Sequence, residues 1–340
     1  MQNIIPGIAS AAEKINAIRK KDSVIFPLFT DLHAPGADCT QIDTLCKVLQ
    51  DITSKIPCDM VVDLGDNTGM LGRAQHIKND ALHTVLKTIL DKVYTSAGCP
   101  LFTANGNHDA IGTDFFKADF WNSLVKHQYG TQNAVYGAGA YYYVDFEKAN
   151  TRFVVLSVPY DSDLEAKRPT PVWAFGEKQL NWLKNEALNV TGNVILLMHV
   201  PFNYRDTTYK ETEMLEVWTG EKKAFSRITD LCGRIEDLDS AVSILDVFSH
   251  KKDARLVACL SGHTHIDSLY EPKADSNPLP CHQIVTTGTF IPESNHQAFG
   301  ISVDIAVWTP SENQLHLIRI GDGEDRLINT GGNKNEAYDL

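Results

Sequence analysis

The sequence predicts a layered α/β fold. Short apolar runs alternate with stretches of helical periodicity, and 43% of the 340 residues are hydrophobic against 22% charged, as in an ordinary water-soluble globular chain. The runs also share a feature at their ends. Five of them stop at Asp, Asn or His, and in an open α/β sheet the carboxyl ends of the strands are where sites form.

Ile8, Ala11, Ile15 and Ile18 fall at helical spacing and predict an amphipathic helix within residues 1–22. That stretch lacks the apolar h-region and basic start of a signal peptide, and no run approaches the roughly 20 apolar residues of a membrane span. A cytoplasmic protein with no membrane span is therefore expected. Val24 to Phe29, Met60 to Leu64, Leu101 to Ala104, Arg152 to Val158, Val194 to Met198 and Leu256 to Leu260 read as buried strands, being short, apolar and bounded by turn residues. Helices are expected over Ile42 to Ile52, Ala81 to Val93, Glu177 to Leu188 and Ile235 to Phe248, where apolar residues recur on one face. Gln283 to Thr287, Ile301 to Trp308 and Gln314 to Ile320 alternate apolar with polar residues and read as further antiparallel strands. Residues 23–330 thus form one domain with an insertion at 203–234, too long for a tight connection, and residues 331–340 form a loose polar tail.

The formal net charge of -12 argues against a partner tracked by its phosphate backbone, so nucleic acid is not the expected partner. The seven cysteines are odd in number and none forms a C-x-x-C pair, so neither a disulfide framework nor a zinc ribbon is expected. Cys259, inside an apolar run, reads as a small buried hydrophobe.

After the first strand comes Thr30-Asp31-Leu32-His33. Gly65-Asp66-Asn67 follows the second and Asn105-Gly106-Asn107-His108-Asp109 the third. His199 and Ser261-Gly262-His263-Thr264-His265 follow two later ones. Each block alone has an ordinary reading. Asp31 could be an N-cap, Asp66 and Asn107 turn residues, His199 a core histidine. Together they bring carboxylate, amide and imidazole, which are ligands for Mn, Fe, Zn, Ni or Co. Asp31, His33, Asp66, Asn107, His199, His263 and His265 make seven candidates, more than one tetrahedral ion needs. The set suits two ions sharing a carboxylate, about 3.5–4 Å apart as in in-line displacement at phosphorus. Gly65, Gly106 and Gly262 each precede a ligand, where the backbone is expected to turn sharply and approach an ion. Asp63, inside a strand, is expected to accept a backbone hydrogen bond rather than bind metal.

The order D-x-H, G-D, G-N-H-D, strand-borne His and G-H-x-H resembles the calcineurin-like metallophosphoesterase superfamily over about residues 24–290. Phe175-Gly176-Glu177-Lys178-Gln179-Leu180 is similar to the helix preceding the histidine strand in many members. The N-terminal helix and the ending Arg319 to Arg326 resemble a bacterial subgroup. The resemblance implies two packed, mostly mixed β-sheets flanked by helices, a four-layer sandwich with a dimetal site at the strand ends. It implies Asp31, His33 and His265 on one ion, Asn107, His199 and His263 on the other, and Asp66 bridging. It further implies a hydroxide between the ions as nucleophile, His108 as general acid or charge stabiliser, and Asp109 orienting His108. The substrate would be a phosphoester. No arginine cluster accompanies the ligands to grip a dianionic monoester, which favours a phosphodiester; a phosphomonoesterase and a metal-binding scaffold with little catalysis are the alternatives. Asn67-Thr68-Gly69 departs from the Asp-Arg-Gly of protein Ser/Thr phosphatases, and His33 stands where purple acid phosphatases lack a histidine. Arg73, Tyr204 and Trp218 are candidate substrate contacts, although a solvated arginine and aromatic packing explain them equally well. His296 is a further residue that could line the pocket.

Overall fold

The computed structural model describes residues 7–69, 79–106, 108–109, 118–157, 177–201, 247–248, 253–272, 279–290 and 299–331. Two sheets face each other. The first contains β1 (Val24–Phe29), β2 (Val61–Asp63), β3 (Leu101–Thr103), β11 (Ser302–Thr309), β12 (Gln314–Gly321) and β13 (Arg326–Asn329), in the order β13-β12-β11-β1-β2-β3. The second contains β4 (Val135–Tyr136), β5 (Tyr142–Phe146), β6 (Thr151–Val155), β7 (Gly192–Leu197), β8 (Ala254–Ser261), β9 (Ser268–Tyr270) and β10 (His282–Val285), in the order β4-β5-β6-β7-β8-β10-β9. Both sheets are mixed. β1, β2 and β3 run parallel, as do β6, β7, β8 and β10, while β11 returns antiparallel along β1 with Val24 opposite Trp308.

The alternation of side chains along β1 builds two cores at once. Ile25 and Phe29 face the helices α1 (Ile8–Ile18), α2 (Thr40–Thr53) and α3 (Asn79–Ala97), packing with Ile15, Leu45, Leu49 and Leu86. Val24, Phe26 and Leu28 face the other sheet and pack in one cluster with its Phe153, Ile195 and Leu260 and with Trp308 of their own sheet. Phe26 and Phe153 sit edge to face at 5.5 Å, an arrangement that suits the ring quadrupoles. The far side of the second sheet is covered by α5 (Glu177–Trp182) and the π-turn Leu183–Ala187, through Leu180, Leu183, Val154, Leu196 and Met198. Helices, sheet, sheet and helix are the four layers the sequence predicts.

β1 coincides with the predicted run, because six consecutive apolar residues are buried on both faces. α4 (Ala118–Val125), β4, β9 and β13 were not predicted. β9 and β13 are short edge strands of three and four residues and carry too little pattern to register. Of the helix expected over 235–248, the described residues Val247 and Phe248 are helical and buried, and the remainder lies outside the described residues. The insertion at 203–234 and nearly all of the tail lie outside them as well. The six described cysteines are thiols, with Cys259 fully buried as expected. No helix among the described residues is long and apolar enough to cross a membrane.

Candidate metal centre

Because the central strands of both sheets run parallel, their carboxyl ends open onto one edge of the sandwich, and the five blocks meet there. Backbone bonds lace the loops together. Asp31 and His33 donate N–H to Gly65 O at 2.8 Å and Asp66 O at 3.0 Å, and Gly262 donates to His199 O at 2.9 Å. Between the sheets, the His199 Nδ1–H donates to Leu64 O at 2.9 Å. A carbonyl can only accept, so this bond fixes the tautomer and aims Nε2 at Asp66 Oδ2, 3.2 Å away.

Nine described non-glycine residues have positive φ, and five of them are expected ligands: Asp31 (52°), His33 (44°), Asp66 (58°), His263 (71°) and His265 (60°). Left-handed backbone is costly for such residues and concentrates where function over-determines it. The result is a tight set of donor atoms. Asp31, His33 and His265 offer atoms within 4.8 Å of one another, as do Asp66, His199 and His263, and also His33, Asp66 and His108. His33 Nε2 and His265 Nε2 lie 3.0 Å apart, and Asp31 Oδ1 is 3.1 Å from His265 Nε2. Asp66 belongs to two of these groups and stands between the others.

The charge states suit cations. Burial works to raise Asp31 and Asp66, but neighbouring imidazoles outweigh it. His265 and His199 hold Asp31 well below the usual carboxylate range, and His199 and His108 hold Asp66 at about 2. Burial and the adjacent His199 push His263 down to about 3, so its imidazole is neutral. Burial works to lower His199, yet the Asp66 and Asp31 carboxylates raise it to about 9. In effect two buried anions hold a proton on His199 where a metal ion would take its place. Oxygen and imidazole donors in this number fit transition-metal ions.

Gly106 and Gly262 serve a purpose other than the predicted one. A Cβ on Gly106 would overlap the Asp66 amide and Oδ1, and a Cβ on Gly262 would overlap Thr30 Oγ1 and come within 2.6 Å of Asp31 Oδ2. They make room for the Asp66 and Asp31 carboxylates rather than for an ion. Of the three glycines only Gly65 needs the turn, at φ 95°.

Asp63 does accept backbone N–H, from Gly65 at 2.8 Å. It also takes Asn67 Nδ2 and Thr103 Oγ1, each at 2.7 Å. His108 Nδ1–H donates to Gly69 O at 3.1 Å, which turns Nε2 toward Asp66 Oδ2 at 3.8 Å. The fully buried Asp109 accepts N–H from Thr68 at 3.0 Å and from Gly106 at 3.2 Å. It ties together the loops after β2 and β3, and Gly69 O is what holds the His108 ring. Asn107, Arg73, Tyr204, Trp218 and His296 lie outside the described residues.

One participating segment was expected only as a strand end, not as part of the site. Thr286-Thr287-Gly288-Thr289 after β10 backs onto the centre. Thr289 Oγ1 donates to Thr30 O at 2.8 Å and Thr287 Oγ1 to His265 O at 2.7 Å. A threonine-rich step off an apolar strand was the signal available.

Fold and donor set together define an α/β sandwich with a candidate metal centre between its sheets. A dimetal phosphatase from Danio rerio shares the fold, with a TM-score of 0.57 at 16% identity over 91% of this chain and 99% of that one. A 5'-nucleotidase precursor from Thermus thermophilus aligns with a TM-score of 0.39 at 11% identity, over 90% of this chain and 54% of that one. No curated protein matches the chain. The sequence profile of calcineurin-like phosphoesterases matches residues 28–267, well over half the chain, and the chain belongs to that family.

Proposed function

We propose that this chain hydrolyses phosphoesters with two transition-metal ions by direct attack of water on phosphorus, and that its preferred substrate is a phosphodiester. The observation that carries the reading is the convergence of strained strand-end carboxylates and imidazoles from both sheets on one spot. Asp31, His33 and His265 would hold one ion, His199, His263 and Asn107 the other, with Asp66 shared. Ions bound there supply charge that activates water and offsets the negative charge on the phosphoryl group.

The rest of the chemistry falls to the chain. Asp31 and Asp66 stay ionised across the working range, because nearby imidazoles hold both below the usual carboxylate range. Leu64 O holds the His199 ring in one tautomer, and Gly69 O does the same for His108. With Nδ1–H engaged by Gly69 O, His108 would turn Nε2 to the substrate, and as the imidazolium it could pass the Nε2 proton to the leaving oxygen. His108→Ala is expected to bind two ions with unchanged affinity and to lose about 100-fold in kcat, read from metal content and steady-state rates on the same sample. Loss of an ion would make His108 a ligand instead.

The diester preference is supported by the arginines beside the centre. Arg319 and Arg326 are engaged by Asp304 and Asp267 at 2.5–3.0 Å, so neither fork is free to grip a dianionic monoester. The test is a paired rate assay on an aryl phosphodiester and an aryl phosphomonoester after stripping metal and restoring Mn²⁺. Faster diester turnover is expected. Faster monoester turnover would make the enzyme a phosphatase. Two bound ions with neither substrate turned over would point to a binding scaffold.

A further inference from the structure

In the loop that carries both C-terminal histidines, His265 is held from outside the donor set. His263 and His265 are both left-handed, at φ 71° and 60°, so their positions depend on tertiary bonds rather than on local preference. His263 is pinned directly, its N–H donating to Asp31 Oδ2 at 2.8 Å. His265 is pinned through Thr287, whose Oγ1–H donates to the His265 carbonyl at 2.7 Å.

Thr287 is in turn fixed by a buried ionic network. Its N–H donates to Asp267 Oδ1 at 3.1 Å. Asp267, two residues beyond His265, receives Arg319 Nη2 at 2.8 and 2.9 Å and Arg326 Nη1 at 3.0 Å. The Arg319 side chain is 2% exposed and also donates Nε–H to Asp304 Oδ1 at 2.8 Å. Asp304 Oδ2 accepts Thr286 Oγ1 at 2.6 Å. Arg319, Arg326 and Asp304 belong to the first sheet. Asp267, Thr286 and Thr287 follow strands of the second. Thus the clamp joins the sheets beside a centre whose donors also come from both. A Cβ on Gly288 would lie 3.2 Å from Asp31 Cβ and 3.6 Å from His265 Cδ2, so this segment forms the wall behind those two donors.

We propose that Thr287, held by Asp267 and Arg319, is a positioning residue that sets the affinity of the Asp31–His33–His265 site without touching the ion. The inference rests on the reading of His265 as an ion ligand. Partners that orient a metal ligand typically govern affinity by about 10- to 100-fold. Here the effect falls on one site of two, because His199 and His263 have their own anchors in Leu64 and Asp31.

The experiment is equilibrium dialysis against Mn²⁺ on the full chain, resolving two affinities, with His265→Ala marking which belongs to its site. In Thr287→Val the affinity marked by His265→Ala should fall about 10-fold and the other should hold. Thr287→Ser, which keeps the hydroxyl, should bind as wild type. Arg319→Lys keeps the charge but loses the fork, and should show the same one-site loss; it serves if Thr287→Val does not fold. Unchanged affinities in a folded Thr287→Val, an equal fall at both sites, or no rescue by serine would each overturn the proposal while leaving the two-ion reading intact. A wild-type chain that binds no Mn²⁺ would end both.

Discussion

Replacing Asp66 by Asn is expected to empty the metal centre and abolish hydrolysis while the fold survives. Asp66 Oδ1 accepts the His108 N–H at 2.6 Å, and an amide oxygen can take over that bond. What Asn cannot supply is the charge at Oδ2, which lies 3.2 Å from His199 Nε2, 3.8 Å from His108 Nε2 and 3.9 Å from His33 Nε2. An NH₂ group there would point a donor where lone pairs are needed. Since Asp66 stands between the two donor groups, affinity should fall at both sites, by more than the roughly 10- to 100-fold that losing a partner of a ligand costs, and the rate with it. Metal content after dialysis, rates at saturating Mn²⁺ and an unchanged circular dichroism spectrum check the three parts of the expectation. Two retained ions and near-full activity would remove Asp66 from the shared position.

Asp304→Asn should act on stability. Asp304 is fully buried beneath Arg319 and Arg326, and its loss leaves two guanidiniums short of an anion. Breaking a buried pair costs about 3–5 kcal/mol. The lower end, about 3 kcal/mol, is expected here because Asp267 still faces both arginines. Denaturant titration of both proteins measures it. The acid limb carries a second signature. Burial works to raise the Asp304 carboxyl, but Arg319 and Arg326 bring it below its ordinary value. The group then contributes fully above the unfolded value, about pH 4. Its contribution is lost as the pH falls through the lowered native value, because the unfolded chain takes up the proton first. Asp304→Asn should flatten that part of the pH–stability curve, and an unaltered acid limb would place the acid sensitivity elsewhere.

The candidate donors could be picked out because each follows an apolar strand, so that strand pattern and residue type together marked the place. The clamp could not. Asp267, Asp304, Arg319 and Arg326 lie far apart in sequence, and the alternation that marked the C-terminal strands said nothing of where their polar residues point. β11 is in fact buried at every position, Asp304 included, because it is flanked by β1 and β12 and covered on both faces. Charge inside a strand covered on both faces has no periodic signature. The purpose of Gly106 was equally hidden, because the atom it avoids belongs to Asp66, on the neighbouring strand's loop.

The pairing of β1 with β11 has a consequence for how the protein is made. The strand that delivers Asp31 leaves the ribosome well before its partner Ser302–Thr309. At 5–20 residues per second that interval is on the order of tens of seconds. For that time a wholly apolar strand has one unsatisfied edge, the condition that invites pairing with another chain. Asp31 therefore waits on the synthesis of residues more than half the chain away, and a nascent chain stalled before residue 302 would carry its candidate metal donors on an unfinished sheet.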